Sequence, residues 1–209
     1  MGDSESAAIA RALAERHAAP AEPDSSVSLL NCAERSRTGD WSMRSALTRF
    51  AQPHPVRAAR VLALVRRLDA ALRHIARPLG LHPVTCDRKL SPVSLDRQPV
   101  EPYPDTRVAD LARLAAQLPA GIDDVLATYE STTDPLSDTE RSALPLLGVA
   151  LRLDALADVL TDWAVSGPLD PPTDEVDHSC AEVLNELDRL GVPVEQGPSR
   201  GRDRRNRGL

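Results

Sequence analysis

The sequence is poor in aromatic residues, and this scarcity restricts the fold. Only 2% of its 209 residues are aromatic, whereas 42% are apolar. A core must therefore consist of Leu, Ala and Val, and Ala and Leu are the best helix formers. Strands favour the β-branched and aromatic side chains that are scarce here. We therefore predict a mainly α-helical protein, long enough to bury a sizeable core.

Cysteine is also scarce, and it follows no metal-binding pattern. Cys32, Cys86 and Cys180 lie far apart, and no CxxC occurs. An odd count without a secretory segment predicts reduced thiols in a cytoplasmic protein. His82 with Cys86, and His178 with Cys180, are residue types that bind zinc, but the two pairs are 96 residues apart. Ordinary buried thiols and surface imidazoles are the preferred interpretation.

The lack of long apolar runs and of aromatic residues near the C-terminus restricts the classes of binding partner. No apolar run approaches the roughly 20 residues that a bilayer span needs, so no membrane contact is expected. The net charge is −6, but residues 200–209 contain five Arg and one Asp. This tail has no aromatic residue for stacking on bases, so nucleic-acid binding is not expected. We predict a disordered, solvated tail over residues 196–209.

Apolar residues recur at helical spacing along most of the chain. It is clearest over residues 55–77, where apolar residues recur at steps of three and four, with Pro78 and Gly80 at the end. The other predicted helices are 3–17, 40–52, 105–118, 119–129, 137–165 and 173–190, the last burying Val176, Cys180, Val183, Leu184 and Leu187. We predict a helical domain over residues 54–195, preceded by a partly helical extension with a flexible linker over 1–53.

Several residues mark where these helices begin and end. Asp105 is a predicted N-cap. Ser137 and Glu140 have the spacing of a capping box, and Gly191 is the predicted C-cap of the last helix. Between the helices, residues 79–104 contain five prolines, which exclude regular helix. We predict a structured or hairpin-like loop there, with residues 92–95 extended.

Part of this loop resembles a motif of a known protein family. Residues 85–96 read TCDRKLSPVSLD and resemble the HGDLxxxNVLxD catalytic loop of the aminoglycoside phosphotransferase and choline kinase type of small-molecule kinases. Residues 106–114, TRVADLARL, are similar to the segment that opens the helical part of that family's C-terminal lobe, and residues 126–147 also look like that lobe. The resemblance spans residues 66–192 and implies a helical bundle resembling a kinase C-terminal lobe.

The resemblance also implies roles for three residues. Asp87 would be the catalytic base that orients a substrate hydroxyl, as phosphoryl transfer requires. Lys89, the only lysine in the chain, would contact nucleotide phosphates. Asp105, eighteen residues beyond Asp87, would bind the metal. Its surroundings also fit the later helical segment, in which case the metal-binding strand is deleted, and we favour that interpretation. Mg²⁺ and ATP would be the cofactors of an active enzyme.

Departures from the family pattern argue against catalysis. Pro92 replaces the Asn that helps bind Mg²⁺, and Thr85 replaces the His. No lysine precedes the loop, and residues 1–54 contain only Gly2 and Gly39, so a glycine-rich phosphate loop is excluded.

Three hypotheses follow. The preferred one is a degenerate kinase-like protein without efficient phosphotransfer and without a cofactor, which binds a small-molecule ligand or a protein partner. The alternatives are an active ATP-dependent phosphotransferase that uses Asp87, and an unrelated all-α interaction protein.

Overall fold

The computed structural model describes residues 3–18, 21, 41–79, 83–95, 99, 102–118, 121–166 and 170–194. These residues form seven α-helices, two strands and one short 3-10 helix. In chain order they are α1 (Asp3–His17), α2 (Trp41–Ala51), α3 (Pro55–Leu79), β1 (Val84–Asp87), the 3-10 helix (Pro92–Ser94), β2 (Pro102–Asp105), α4 (Arg107–Gln117), α5 (Ile122–Thr132), α6 (Asp138–Ser166) and α7 (Thr173–Arg189). The prediction of a mainly α-helical protein is confirmed. The predicted linker and basic tail, with Cys32 and His82, lie outside the described residues.

Helix α6 is the central element, because α2, α3, α4 and α7 all pack against it. Its buried side chains include Leu147, Leu153, Leu160 and Trp163, which join the larger of two apolar clusters. Trp163 stacks edge-on against Phe50 of α2, with ring centroids 5.9 Å apart. One of the few aromatic pairs in the chain therefore anchors α2 to this helix.

Helix α4 lies between the two clusters, and residues 108–114 are all buried. Val108, Ala109 and Ala112 belong to the larger cluster. Leu111 and Leu114 belong to the smaller one, which α1 and α5 complete. Because apolar side chains cover residues 108–114 on two sides, a charged residue among them must be buried with its partners.

Two helix ends have the capping residues that the sequence predicts. The Ser137 backbone N–H donates to Glu140 Oε2 at 2.8 Å, and the Glu140 N–H donates to Ser137 Oγ at 3.2 Å, so the predicted capping box is confirmed. At the end of α7, Gly191 adopts φ +67°. The Val192 N–H donates to the Leu187 carbonyl at 2.9 Å, which completes a Schellman cap that favours glycine.

Some predicted details were wrong. The N-cap of α4 is Thr106, not Asp105, because Asp105 is still extended and pairs with Val84 in the sheet. Residues 92–94 form a 3-10 helix instead of an extended piece, since the fixed φ of Pro92 suits both conformations. Helix α3 continues to Leu79.

Two other helices also differ from prediction. Helix α5 begins at Ile122 instead of residue 119. In α7, Leu184 is 37% exposed, because it lies beside the buried face. In the described part of the chain, no helix is long and apolar enough to cross a bilayer.

The capping box extends into an ion pair that joins α4 to α6. Arg107 donates through Nε to Glu140 Oε1 at 2.6 Å and through Nη2 to Oε2 at 2.9 Å. Burial alone would raise the pKa of Glu140, but the bonds from Arg107 and Ser137 outweigh it and lower the pKa. The carboxylate therefore stabilises the folded chain when it is ionised.

Glu140→Gln should lower the free energy of unfolding by about 1 kcal/mol at pH 7, since Gln keeps the shape and loses the charge. A carboxyl group whose folded-state pKa is depressed stabilises the fold above its unfolded-state pKa. The difference between the two proteins should therefore be full above about pH 5 and vanish as the pH falls through the folded-state pKa. Urea unfolding between pH 3 and pH 7 measures this difference.

The control Glu182→Gln removes an exposed ion pair with Arg152 and should change the free energy of unfolding by less than about 0.5 kcal/mol. An undiminished effect of Glu140→Gln at pH 3 would contradict this role.

Candidate functional site

The two strands bring the ends of the proline-rich loop together beside α4. They pair antiparallel, with Asp87 opposite Pro102, Cys86 opposite Tyr103 and Val84 opposite Asp105. Asp87 and Asp105 therefore lie at opposite ends of the strand pair, about 10 Å apart along it, and the alternation of side chains directs them to opposite faces.

Asp87 is fully buried. Its Oδ1 accepts the Lys89 backbone N–H at 3.0 Å, and its carbonyl accepts the Leu90 N–H at 3.2 Å, so the aspartate closes a tight turn on itself. Its Oδ2 lies 3.9 Å from Nη1 of Arg16, an arginine of α1 with a buried side chain. Both carboxylate oxygens therefore face groups of the folded chain, and the side chain is enclosed.

The other two predicted site residues do not join Asp87 in an open cleft. Asp105 is buried, and its Oδ1 accepts the adjacent Thr106 N–H at 2.8 Å. Lys89 is exposed, and its backbone N–H holds the Asp87 turn. Gln117 fixes the far end of that turn by donating to the Leu90 carbonyl at 2.7 Å.

Asp110 of α4 is the centre of the buried polar groups. Its Oδ1 accepts the Asp87 backbone N–H at 3.2 Å and lies 3.5 Å from Nη1 of Arg113, one turn further along the helix. Its Oδ2 faces Nε2 of His17 at 3.4 Å. One fully buried carboxylate therefore joins β1, α4 and α1.

Helix α1 covers this centre with its last turn. The His17 ring is buried between Asp110 and Tyr129, and its Nδ1 lies 2.8 Å from the Tyr129 hydroxyl. The neighbouring Arg16 reaches Asp87 and also donates to the Leu95 carbonyl at 3.4 Å. Ile9 and Leu13 fill the smaller cluster beneath the same helix. The N-terminal helix thus closes the loop with both apolar and polar contacts.

The environment of the strand pair favours neutral side chains. Burial raises the pKa of the Cys86 thiol well above its ordinary value, and the negative charges of Asp110 and Asp105 add to this effect. Burial also raises the pKa of Tyr103, again with a contribution from Asp105. The Tyr103 hydroxyl is buried and has no hydrogen-bond partner among the described residues. The Cys86 thiol donates to the Thr106 carbonyl at 3.4 Å.

Sequence reasoning missed His17, Arg16, Asp110 and Tyr129 as members of one site. The available signal was weak: Asp110 and Arg113 are the only charged residues between Val108 and Leu114, a segment that is otherwise apolar. Such a pair three residues apart in an apolar helix indicates buried charges with distant partners. It does not identify them, because His17 is 93 residues away in sequence.

Of the residues considered from sequence as a zinc site, His82 lies outside the described ranges. Cys180 is buried in the larger cluster and His178 is exposed beside Glu182. Within the described ranges, Cys86 is instead grouped with His17 and Asp110.

A second surface feature lies on the opposite side of α4. Small and apolar residues of α4 and α6 line an open groove of about 550 Å³: Ala112, Ala115, Ala116, Leu144, Pro145, Gly148, Val149, Leu151, Arg152 and Ala155, with Glu186 of α7. Gly148 lies within α6, and a Cβ built on it would meet no atom within 4 Å.

Comparison with known proteins assigns no family: no family model matches the chain, and neither a curated protein nor a solved structure matches it.

Replacing Asp110 by Ala should lower the free energy of unfolding by about 3–5 kcal/mol, because Arg113 and the Asp87 N–H would remain buried without the carboxylate. Urea unfolding at pH 7 measures this. The control is Asp162→Ala on α6, an exposed position where a change below about 0.5 kcal/mol is expected. Equal effects at the two positions would show that Asp110 is not the centre of the buried polar groups.

Proposed function

We propose that this chain is a non-catalytic relative of the small-molecule kinases that serves as a protein-binding scaffold. The observation that carries the proposal is the burial of Asp87 beneath α1. A general base must come within hydrogen-bond distance of the hydroxyl that it deprotonates. A carboxylate that is enclosed and held by Arg16 and the Lys89 N–H does not meet this requirement.

The arrangement of elements supports the kinase-like part of the proposal. A long helix, α3, precedes the loop that carries Asp87, and α4 follows it and packs against β1. This is the order in which the sequence resemblance placed a preceding helix, the catalytic loop and the start of the helical lobe. The replacement of the Asn by Pro92 removes a side-chain oxygen that Mg²⁺ would need, which supports loss of catalysis.

The groove between α4 and α6 supports the scaffold part. Glycine inside a helix costs about 1 kcal/mol relative to alanine, and a proline there removes a backbone hydrogen bond. Both Pro145 and Gly148 lie on the groove within α6. Internal packing does not require Gly148, since a Cβ there would meet open space.

Small residues along a groove allow another backbone to approach closely. Ala112, Ala115 and Ala116 face Gly148 and Ala155 across this groove. An amphipathic helix of a partner protein, with small or apolar residues at helical spacing, is the occupant that fits such a surface. Arg152 and Glu186 would offer it charges of both signs at the rim.

The loss of catalysis is tested by thermal unfolding with and without Mg²⁺ATP. A ligand that binds only the native state at a hundredfold excess over Kd stabilises it by about 2.7 kcal/mol. We expect no change in Tm at millimolar Mg²⁺ATP, because Asp87 and Asp105 are enclosed. A rise in Tm that is lost in Asp87→Asn would support the active phosphotransferase instead.

The groove is tested at Gly148. Gly148→Ala should raise the free energy of unfolding by about 0.5–1 kcal/mol, because the helix gains a better helix former and no atom is displaced. The matched control is Gly191→Ala, where φ is +67° and a loss of about 1 kcal/mol is expected. Destabilisation by Gly148→Ala would show that the glycine serves internal packing.

The partner itself is sought by photo-cross-linking from position 115 in the groove, with the exposed position 165 as a control. Support requires that one helical protein is captured only from position 115 and is lost when Gly148→Arg fills the groove. Equal capture from both positions would contradict a partner site in the groove.

A further inference from the structure

Three metal-ligating side chains meet beneath α1. A ring nitrogen of His17, Cys86 Sγ and a carboxylate oxygen of Asp110 all lie within 4.8 Å of one another. They come from three different elements, α1, β1 and α4, and all three residues are buried. A nitrogen, a sulfur and an oxygen ligand in a closed interior are the types of ligand that Zn²⁺ accepts.

The separation of two of these atoms suits shared coordination. His17 Nε2 and Asp110 Oδ2 are 3.4 Å apart. A charge-assisted hydrogen bond is shorter, about 2.7–2.9 Å. Two ligands bonded to one tetrahedral Zn²⁺ at about 2.0–2.1 Å lie about 3.3 Å from each other. The observed distance is also the separation of two ligands of one tetrahedral ion.

The ligands are oriented by outer hydrogen bonds. His17 Nδ1 lies 2.8 Å from the Tyr129 hydroxyl. In the tautomer whose Nδ1–H donates to that hydroxyl, Nε2 carries a lone pair that can bind a metal. Asp110 uses Oδ1 for the Asp87 N–H and for Arg113, which leaves Oδ2 directed at His17. Metal-bound histidines and carboxylates are held in this way.

We propose that His17, Cys86 and Asp110 bind one Zn²⁺ ion in a site that fastens α1 to β1 and α4. Binding releases the Cys86 thiol proton to solvent, and water completes the tetrahedron. Tyr103 stands opposite Cys86 in the strand pair, and its buried hydroxyl has no hydrogen-bond partner among the described residues. The site is independent of the proposed scaffold function.

The test uses Co²⁺, which takes Zn²⁺ sites and is coloured. The full chain is refolded with Co²⁺ and its absorption spectrum is recorded, followed by titration with Zn²⁺. We expect one equivalent of Co²⁺ per chain, with the visible bands of a tetrahedral ion and a thiolate-to-metal charge-transfer band, both removed by Zn²⁺. The double variant Cys32→Ser/Cys180→Ser keeps Cys86 as its only cysteine and should retain the charge-transfer band.

Cys86→Ser should lose that band while its circular dichroism remains helical. If Cys86→Ser does not fold, His17→Gln in the Cys32→Ser/Cys180→Ser background replaces it and should bind Co²⁺ at least tenfold more weakly. The proposal is overturned if the unaltered chain binds no stoichiometric Co²⁺, if the double variant lacks the thiolate band, or if binding persists undiminished in Cys86→Ser or in the His17→Gln variant.

Discussion

The carboxylate of Asp110 is the contact on which the rest of the structure depends. It sits on α4, the helix that both apolar clusters enclose, and it holds the Asp87 backbone from one side and faces His17 from the other. In an interior of low polarity, a charged group without partners is strongly unfavourable, so the loop and α1 must both be in place when the chain is folded. The buried charge thereby couples the apolar packing of α4 to the conformation of the proline-rich segment.

This coupling explains why Asp87 has a structural role here. An aspartate that acts as the base in phosphoryl transfer must be open to the substrate hydroxyl. Here Arg16 and the turn at Lys89 occupy the carboxylate, and Ile9 and Leu13 bind the covering helix through apolar burial. Opening the loop would expose both an apolar face and a set of matched charges. The groove between α4 and α6, in contrast, is open and lined by small residues.

The sequence predicted those parts of the fold that local chemistry determines. Three predicted features depend only on residues a few positions apart and can be recognised in the sequence itself. They are the Ser137 and Glu140 capping box, the cap at Gly191 and the bounds of α1. The N-cap of α4 was misplaced at Asp105, because pairing with Val84 extends the strand by a residue, and local patterns do not report such pairing. The buried polar site was missed for the same reason. In the sequence, His17 is the last residue of a short predicted helix. Its contact with Asp110, 93 residues away, depends on the tertiary fold and cannot be predicted from local pattern.

The most direct test of this account is native-state hydrogen exchange at the Asp87 amide, observed by NMR. Its N–H donates to Asp110 beneath α1 and ought to exchange only when the whole protein unfolds, with the same free energy as the core amides of α6. Exchange of the Asp87 amide at that global rate would show that α1 and the loop form one unit with the helical core. Fast exchange at Asp87, with the α6 amides still protected, would show that α1 opens independently and exposes the carboxylate, which would contradict a closed, non-catalytic loop.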